Sequence, residues 1–220
     1  MIIFLILFFI ILSVSFVLAY SSMRDYQEVP ASEKEYSLYL IRKPQFLTSQ
    51  LLGALINLSK GKIISLERLF KGESSALVIF GPRKVLEGHF SEILGLLELE
   101  DYTRVTQASS WEIGRRGQPD LKSDFFRDLP AFSKEEQFWW QVVIKDFEVQ
   151  LRAVFAYADK ERGGLVSVLE GIGGKSLGKL PKAFTSDQIL DFYRKRVFTP
   201  ANSYPSKAEE ILSFIGLPHK

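Results

Sequence analysis

The stretch KIISLERLFKGESSALVIF, residues 62–80, decides how the central part of this chain folds. Two runs rich in large and β-branched residues, 62–70 and 75–80, lie on either side of the short polar segment KGES. Such runs flanking a turn that contains glycine are typical of a β-hairpin. The sequence therefore predicts two adjacent antiparallel strands here.

The residues before this hairpin predict a strand followed by a helix. Within 47–59 the apolar residues recur every three or four positions, which is the spacing of an amphipathic helix, and Gly61 ends it. Residues 36–42 (YSLYLIR) are rich in large apolar side chains, as a strand is, and Pro44 closes the run.

The residues after the hairpin predict a helix and a fourth strand. Gly81 breaks the second strand, and Pro82 suits the first turn of a helix over 83–99. Residues 101–107 (DYTRVTQ) are typical of a short strand. The resulting order, β-α-β-β-α-β, predicts a ferredoxin-like α+β domain over 36–107.

A second α+β subdomain is predicted over 137–220, packed on the first. Residues 108–136 are polar and contain Gly and Pro, so we expect a linker. The run FWWQVVI, 138–144, predicts a strand, and 148–158 predicts a helix. A short apolar run over 165–169 and a Gly/Lys-rich loop over 171–182 follow. Two capping-box motifs, starting at Thr185 and Ser206, predict two closing helices, the second of which ends at Gly216.

The N-terminal segment from Ile2 to Ala19, IIFLILFFIILSVSFVLA, contains no charged residue. A bilayer core needs roughly 17–25 helical residues, so this segment predicts a transmembrane anchor over 1–19. The polar segment 20–35 is then a tether. Two alternatives remain: a signal peptide cleaved after Ala19, which would release an exported binding domain, or a buried core helix.

The charges near this segment predict the side of the membrane on which the body lies. Of the basic residues, only Arg24 and Lys34 occur in the twenty positions after the segment, among four acidic residues. The slight basic bias favours a single-pass protein with a cytoplasmic body.

Composition excludes several classes of function. The 220 residues carry a net charge of only +2, whereas dedicated nucleic-acid binders are strongly basic. The chain has no cysteine, which excludes disulfides, thiol nucleophiles and Cys-based metal sites, and it has two histidines. We therefore predict no catalytic, cofactor or metal residues, and a protein that is not an enzyme.

A nucleotide-binding loop is the main alternative to that prediction. The segment from Gly171 to Ser176 ends in Gly-Lys-Ser, as a phosphate-binding loop does. The first glycine of that motif would fall on Leu169, and Gly178 and Pro181 follow where a helix should begin. A nucleotide-binding protein or an enzyme using this loop remains the alternative function.

Two sets of residues are candidate interaction surfaces. The first is the adjacent pair Trp139 and Trp140, if their side chains are exposed. The second is a set of basic residues near the C-terminus, where residues 150–220 contain eleven Lys/Arg and seven Asp/Glu. Such a surface could meet anionic lipid or nucleic acid, or could simply be solvated. Its members are Lys175, Lys179, Lys182, Arg194, Lys195 and Arg196.

The segments described above also resemble membrane-anchored proteins associated with type IV secretion or conjugative transfer in small-genome bacteria. The shared pattern is an apolar N-terminal segment, a strand like YSLYLIRKP, a helix like LTSQLLGALINLSKG, two paired strands, a helix and a segment like FSKEEQFWWQVVI. The last segment carries the most specific matches, namely Glu136, Gln137, Trp139, Trp140, Gln141 and Ile144.

This resemblance implies a non-motor domain that accompanies a transfer ATPase. No complete phosphate-binding loop is present, so the resemblance implies that another subunit supplies ATP hydrolysis. We therefore expect a membrane-anchored structural or adaptor subunit with protein partners, and no catalytic residue is transferred from that family.

Overall fold

The computed structural model describes residues 8–16, 35–105, 107–117, 125–158, 164–172, 174, 176–181 and 184–218. Residues 8–16 are helical (α1). The other helices are α2 (Ser49–Leu58), α3 (83–94), α4 (Leu165–Glu170), α5 (Ser186–Lys195) and α6 (Ala208–Phe214). The strands are β1 (Tyr36–Ile41), β2 (Ile64–Lys71), β3 (Ser74–Pro82), β4 (Leu96–Glu98), β5 (Gln107–Arg115), β6 (Gln137–Lys145), β7 (Glu148–Tyr157), β8 (Leu177–Lys179) and β9 (Tyr204–Pro205).

These nine strands form one antiparallel sheet. Its order is β4-β1-β3-β2-β6-β7-β5-β8, and β9 pairs with β7. The prediction of a body that mixes helices and strands is confirmed, and its sheet is antiparallel throughout the described residues. Because β2 pairs with β6 from Ile64 to Lys71, the sheet continues without interruption across the predicted boundary between the two halves.

The central hairpin forms as predicted, but the fourth strand does not. Strands β2 and β3 pair around a turn in which Gly72 has φ of +55°, a conformation that glycine adopts without strain. The following helix ends at Leu94 because Gly95 adopts the left-handed conformation (φ +59°) that stops helices. The chain then forms β4 at Leu96–Glu98 against β1, so the predicted strand at 101–107 is wrong.

The second half differs more strongly from the predictions. The predicted helix 148–158 is wrong, because β7 occupies Glu148–Tyr157. Its side chains alternate between the two faces of the sheet: Leu151 packs in the apolar core while Arg152 faces the other side. The predicted linker 108–136 contains most of β5, and the apolar run at 165–169 forms α4.

The two faces of the sheet are covered differently. One face carries the main apolar core, to which α2, α3, α4 and α6 contribute buried side chains such as Leu55, Leu86, Leu169 and Leu212. The opposite face is covered by α5, whose Tyr193 packs against Trp139. Side chains from four adjacent strands meet beneath that helix, and most of them are polar.

The apolar N-terminal segment is described only at residues 8–16. Their large side chains are all more than half exposed, and Phe16 is 72% exposed. None of the helices in the described part of the chain is both long enough and apolar enough to cross a membrane. The rest of the predicted anchor, and residues 20–34 of the predicted tether, lie outside the described residues.

Candidate functional site

A row of four polar side chains crosses the centre of the sheet. Strand register places Gln141 opposite both Glu67 and Arg152, and places Glu112 opposite Arg152. The four residues therefore lie side by side on β2, β6, β7 and β5, on the face that α5 covers. All four are buried. Charged residues are almost never buried without a partner, so this row is the most unusual feature of the body.

The half of the row nearest β5 is built around the Glu112–Arg152 ion pair. Arg152 Nε lies 3.4 Å from Glu112 Oε1, and its Nη1 donates to the Val197 carbonyl at 2.7 Å. Gln150 and Asn202 donate to the two Glu112 oxygens at 2.7 and 2.8 Å. Burial of the guanidinium lowers the pKa of Arg152 to about 10, although Glu112 opposes this change.

The other half of the row is built around Glu67. Arg196 Nε donates to Glu67 Oε1 at 3.1 Å, and Gln141 Nε2 donates to the same oxygen at 3.0 Å. The Tyr102 hydroxyl donates to Glu67 Oε2 and lies 2.8 Å from the Tyr193 hydroxyl. Burial raises the pKa of both tyrosines well above 10, and the Glu67 carboxylate adds to this shift.

Gln141 joins the two halves into one network. Its amide nitrogen donates to Glu67, and its amide oxygen accepts from Arg152 Nη1 at 3.4 Å. The network contains the buried carboxylates of Glu67 and Glu112 and the guanidinium groups of Arg152 and Arg196, and Arg196 also pairs with the more exposed Asp101. The arrangement binds α5 and the chain that follows it to the sheet. Its groups are hydrogen-bonded and buried, so the network stabilises the position of α5 on the sheet.

The structure corrects the prediction that the tryptophan pair forms an interaction surface. Trp139 and Trp140 are each 1% exposed. They point to opposite faces of β6: Trp140 belongs to the main core, and Trp139 packs with Tyr102 and Tyr193. Neither side chain is available to a partner. The pair is apolar core, as alternation along a strand buried on both faces requires.

The predicted basic surface is also changed by the structure. Arg196 is buried against Glu67 and Asp101, so its place on a surface is wrong. Arg194 donates to the carbonyls of Thr103 and Val105.

Of the other basic candidates, two form ion pairs and two lie outside the residues that the structure describes. Lys179 is paired with Glu170, and Lys195 is paired with Asp191 at 2.8 Å. Lys175 and Lys182 lie outside the described residues, as do parts of the loop from Gly171 to Ser176. The nucleotide-binding alternative therefore stays a prediction.

Within the described residues, no group of three or more His, Cys, Asp or Glu side chains is placed to hold a metal ion. Sequence reasoning missed the buried row itself. The available signal was the isolated charge in two otherwise apolar or small-residue stretches, at Glu112 and Arg152, whereas Glu67 is followed directly by Arg68 and gives no such signal. No known family model and no curated protein matches this chain.

Proposed function

We propose that this protein is a membrane-anchored, non-catalytic adaptor subunit of a secretion or conjugative-transfer machine. The observation that carries the membrane part is the helical stretch 8–16, whose large apolar side chains are all more than half exposed. Exposed apolar side chains at successive positions are unfavourable in water and favourable in lipid. The uncharged segment from Ile2 to Ala19, which includes this stretch, has the length that the sequence criterion for a membrane-spanning segment requires.

The construction of the body supports a binding role. The first half has the strand order β4-β1-β3-β2. We include in the proposal that this half is a ferredoxin-like unit, extended by β6, β7, β5 and β8 into one wide sheet. Buried ion pairs on one face and an apolar core on the other hold α5 and α6 in fixed positions. Helices held in this way can present defined surfaces to partners, and the resemblance to transfer-machine proteins supports an ATPase as the partner.

Membrane attachment is tested by placing charge in the exposed apolar stretch. An arginine at the centre of a membrane-spanning helix costs about 2.5–3.5 kcal/mol on insertion scales. We expect the double variant Ile10→Arg, Ile11→Arg to move from the carbonate-washed membrane pellet into the supernatant. The matched control introduces two arginines at half-exposed apolar residues of the body, Leu58→Arg and Leu97→Arg, and should stay in the pellet. Wild-type protein in the supernatant would refute the anchor.

The side of the membrane is tested by labelling an introduced thiol. The chain has no cysteine, so Lys195→Cys, at an exposed position of α5, creates a single labelling site. For a cytoplasmic body, a membrane-impermeant maleimide should label this cysteine only after the cells are opened. Labelling of intact cells would place the body outside.

The adaptor role is tested with the full chain extracted from native membranes. We expect it to elute in a complex that hydrolyses ATP, while the separately purified chain shows no hydrolysis. The Ile10→Arg, Ile11→Arg variant should lose the membrane-derived complex. Elution of the wild-type chain alone would refute the adaptor role, and ATP hydrolysis by the purified chain would refute its non-catalytic character.

A further inference from the structure

A partly open cavity of about 430 Å³ lies where β5, β8, α4 and the start of α5 meet. This volume is within the range of small-molecule sites, which is about 300–1,000 Å³. One part of the wall is apolar and is formed by Trp111, Val166, Leu180, Phe184 and Ile189. The rest is polar, so the cavity is suited to a molecule with one apolar and one polar end.

The polar part of the wall offers hydrogen-bond donors. Lys179 carries an ammonium group there and is paired with Glu170, both side chains being about one-third exposed or less. Trp111 also lines the cavity, and it is 98% buried. Its indole N–H has no hydrogen-bond acceptor within the described part of the protein. That nitrogen is itself buried and is not exposed to the cavity, so Trp111 contributes ring surface and no donor to a ligand.

The start of α5 adds partial positive charge to the same wall. The ten-residue helix begins at Ser186, which lines the cavity, and the N-terminal end of a helix favours anions. Ser186 is held in place because the Ser110 N–H donates to its hydroxyl at 2.8 Å. The position of the helix end is therefore fixed relative to β5.

Two carboxylates, those of Glu112 and Glu170, line the cavity, and each is paired with a positively charged side chain. Glu112 is neutralised by Arg152 and accepts from Gln150 and Asn202, so both of its oxygens are already engaged. Glu170 has Lys179 as its charged partner. A ligand carboxylate that enters the cavity would compete with Glu170 for the Lys179 ammonium group.

We propose that this cavity binds an amphipathic carboxylate, such as an aromatic or medium-chain fatty acid. The carboxylate pairs with Lys179 near the start of α5, and the apolar part lies against Trp111, Phe184 and Ile189. The inference is independent of the membrane and adaptor roles, because none of the lining residues belongs to the N-terminal helix.

The test is calorimetric titration of the full chain in detergent micelles, with empty micelles as the blank. The probes are 3-phenylpropionate and decanoate, and 3-phenylpropionamide is the uncharged control ligand. We expect the amide to bind at least tenfold more weakly than the acid. Equal affinity for acid and amide, or no heat with either acid, would overturn the proposal.

Two variants that break the same ion pair distinguish binding from a structural role. Lys179→Met removes the partner of the carboxylate and should weaken 3-phenylpropionate binding about tenfold, in line with the strength of charge-assisted hydrogen bonds. Glu170→Gln removes the competitor and should strengthen binding. A pair with only a structural role would give changes in the same direction for both variants, and that result would overturn the proposal.

Trp111→Phe and Lys195→Met complete the test. The phenylalanine variant keeps an aromatic wall and loses only an indole N–H that is not exposed to the cavity, so we expect the affinity for the acid to stay within about twofold of the wild type. Lys195→Met removes a lysine of α5 that does not line the cavity, and it should leave the affinity unchanged. An effect of Lys195→Met equal to that of Lys179→Met would show that only overall charge matters and would refute the site.

Discussion

The two faces of the central sheet are stabilised in different ways. On one face, side chains such as Leu66, Trp140 and Leu151 pack against four helices in a continuous apolar core. On the other face, α5 covers a row of buried charged and amide groups. Apolar burial is non-directional, whereas hydrogen bonds and ion pairs require defined positions. The apolar face therefore supplies most of the stability, and the polar face determines where α5 lies.

The largest effect is expected from breaking the polar face at its centre. Arg152→Met leaves Glu112 buried without its charged partner, and loss of one partner of a buried ion pair costs about 3–5 kcal/mol. Urea unfolding at neutral pH measures this change in the free energy of unfolding. The double variant Arg152→Met, Glu112→Leu removes both charges and should recover much of the loss. A double variant that is less stable than the single variant would contradict this account.

A cavity in the apolar face is expected to lower the free energy of unfolding slightly less than Arg152→Met does. Leu55 on α2 is fully buried, and truncation of such a residue costs about 2–5 kcal/mol because a cavity remains. We expect Leu55→Ala to lower the free energy of unfolding by about 3 kcal/mol, as measured by the same urea titration. Leu58→Ala on the same helix, at a half-exposed position, is the control and should change the free energy by less than about 0.5 kcal/mol.

Alkaline pH should weaken the polar face through its tyrosines. Burial raises the pKa of Tyr193 well above 10, so above pH 10 the unfolded chain loses this proton while the folded protein keeps it. The contribution to stability is complete below pH 10 and falls by about 1.4 kcal/mol per pH unit above it. Arg152, whose pKa is lowered to about 10, acts in the opposite direction over the same range.

The measurement is urea unfolding at several pH values between 9 and 11.5. Tyr193→Phe removes one titrating group, so its stability should fall less steeply above pH 10 than that of the wild type. If the free energy of unfolding falls with pH at the same rate in Tyr193→Phe and in the wild type, Tyr193 is not buried in its protonated form. The network around Glu67 would then be incorrect.

The smallest effect is expected outside both faces. Lys195 and Asp191 form an exposed pair one helical turn apart on α5. Pairs of this kind contribute about 0.3–0.5 kcal/mol and are screened by salt. Lys195→Ala should therefore change the free energy of unfolding by no more than this amount, and less in 1 M salt. A loss approaching that of Arg152→Met would mean that exposed and buried charges contribute alike, which would remove the contrast between the two faces.

Local patterns in the sequence predict the first half of the fold well. The β2–β3 hairpin, α2 and most of α3 follow from apolar periodicity and from the glycines that end each element. The capping box at Thr185 is confirmed by hydrogen bonds in both directions with Gln188. The one predicted at Ser206 is displaced by a residue, since Lys207 is the cap and its N–H donates to Glu210.

The second half is less predictable because its elements depend on distant pairing. The turn between β6 and β7 consists of Asp146 and Phe147, both with positive φ, where a hairpin turn usually carries glycine. Without that signal, the apolar residues of β7 also fit a helical spacing. The polar row requires the register of β2 with β6 and of β7 with β5, and these strands lie far apart in the chain. No local pattern contains that information.

The pairing of β2 with β6 has a consequence for synthesis of the protein. Gln137, the first residue of β6, follows Lys71, the last residue of β2, by 66 positions. At typical synthesis rates of about 5–20 residues per second, this edge of β2 stays unpaired for about 3–13 s before β6 is synthesised. An unpaired strand edge can join other chains. The nascent protein is therefore most prone to aggregation during this interval, before β6 leaves the ribosome.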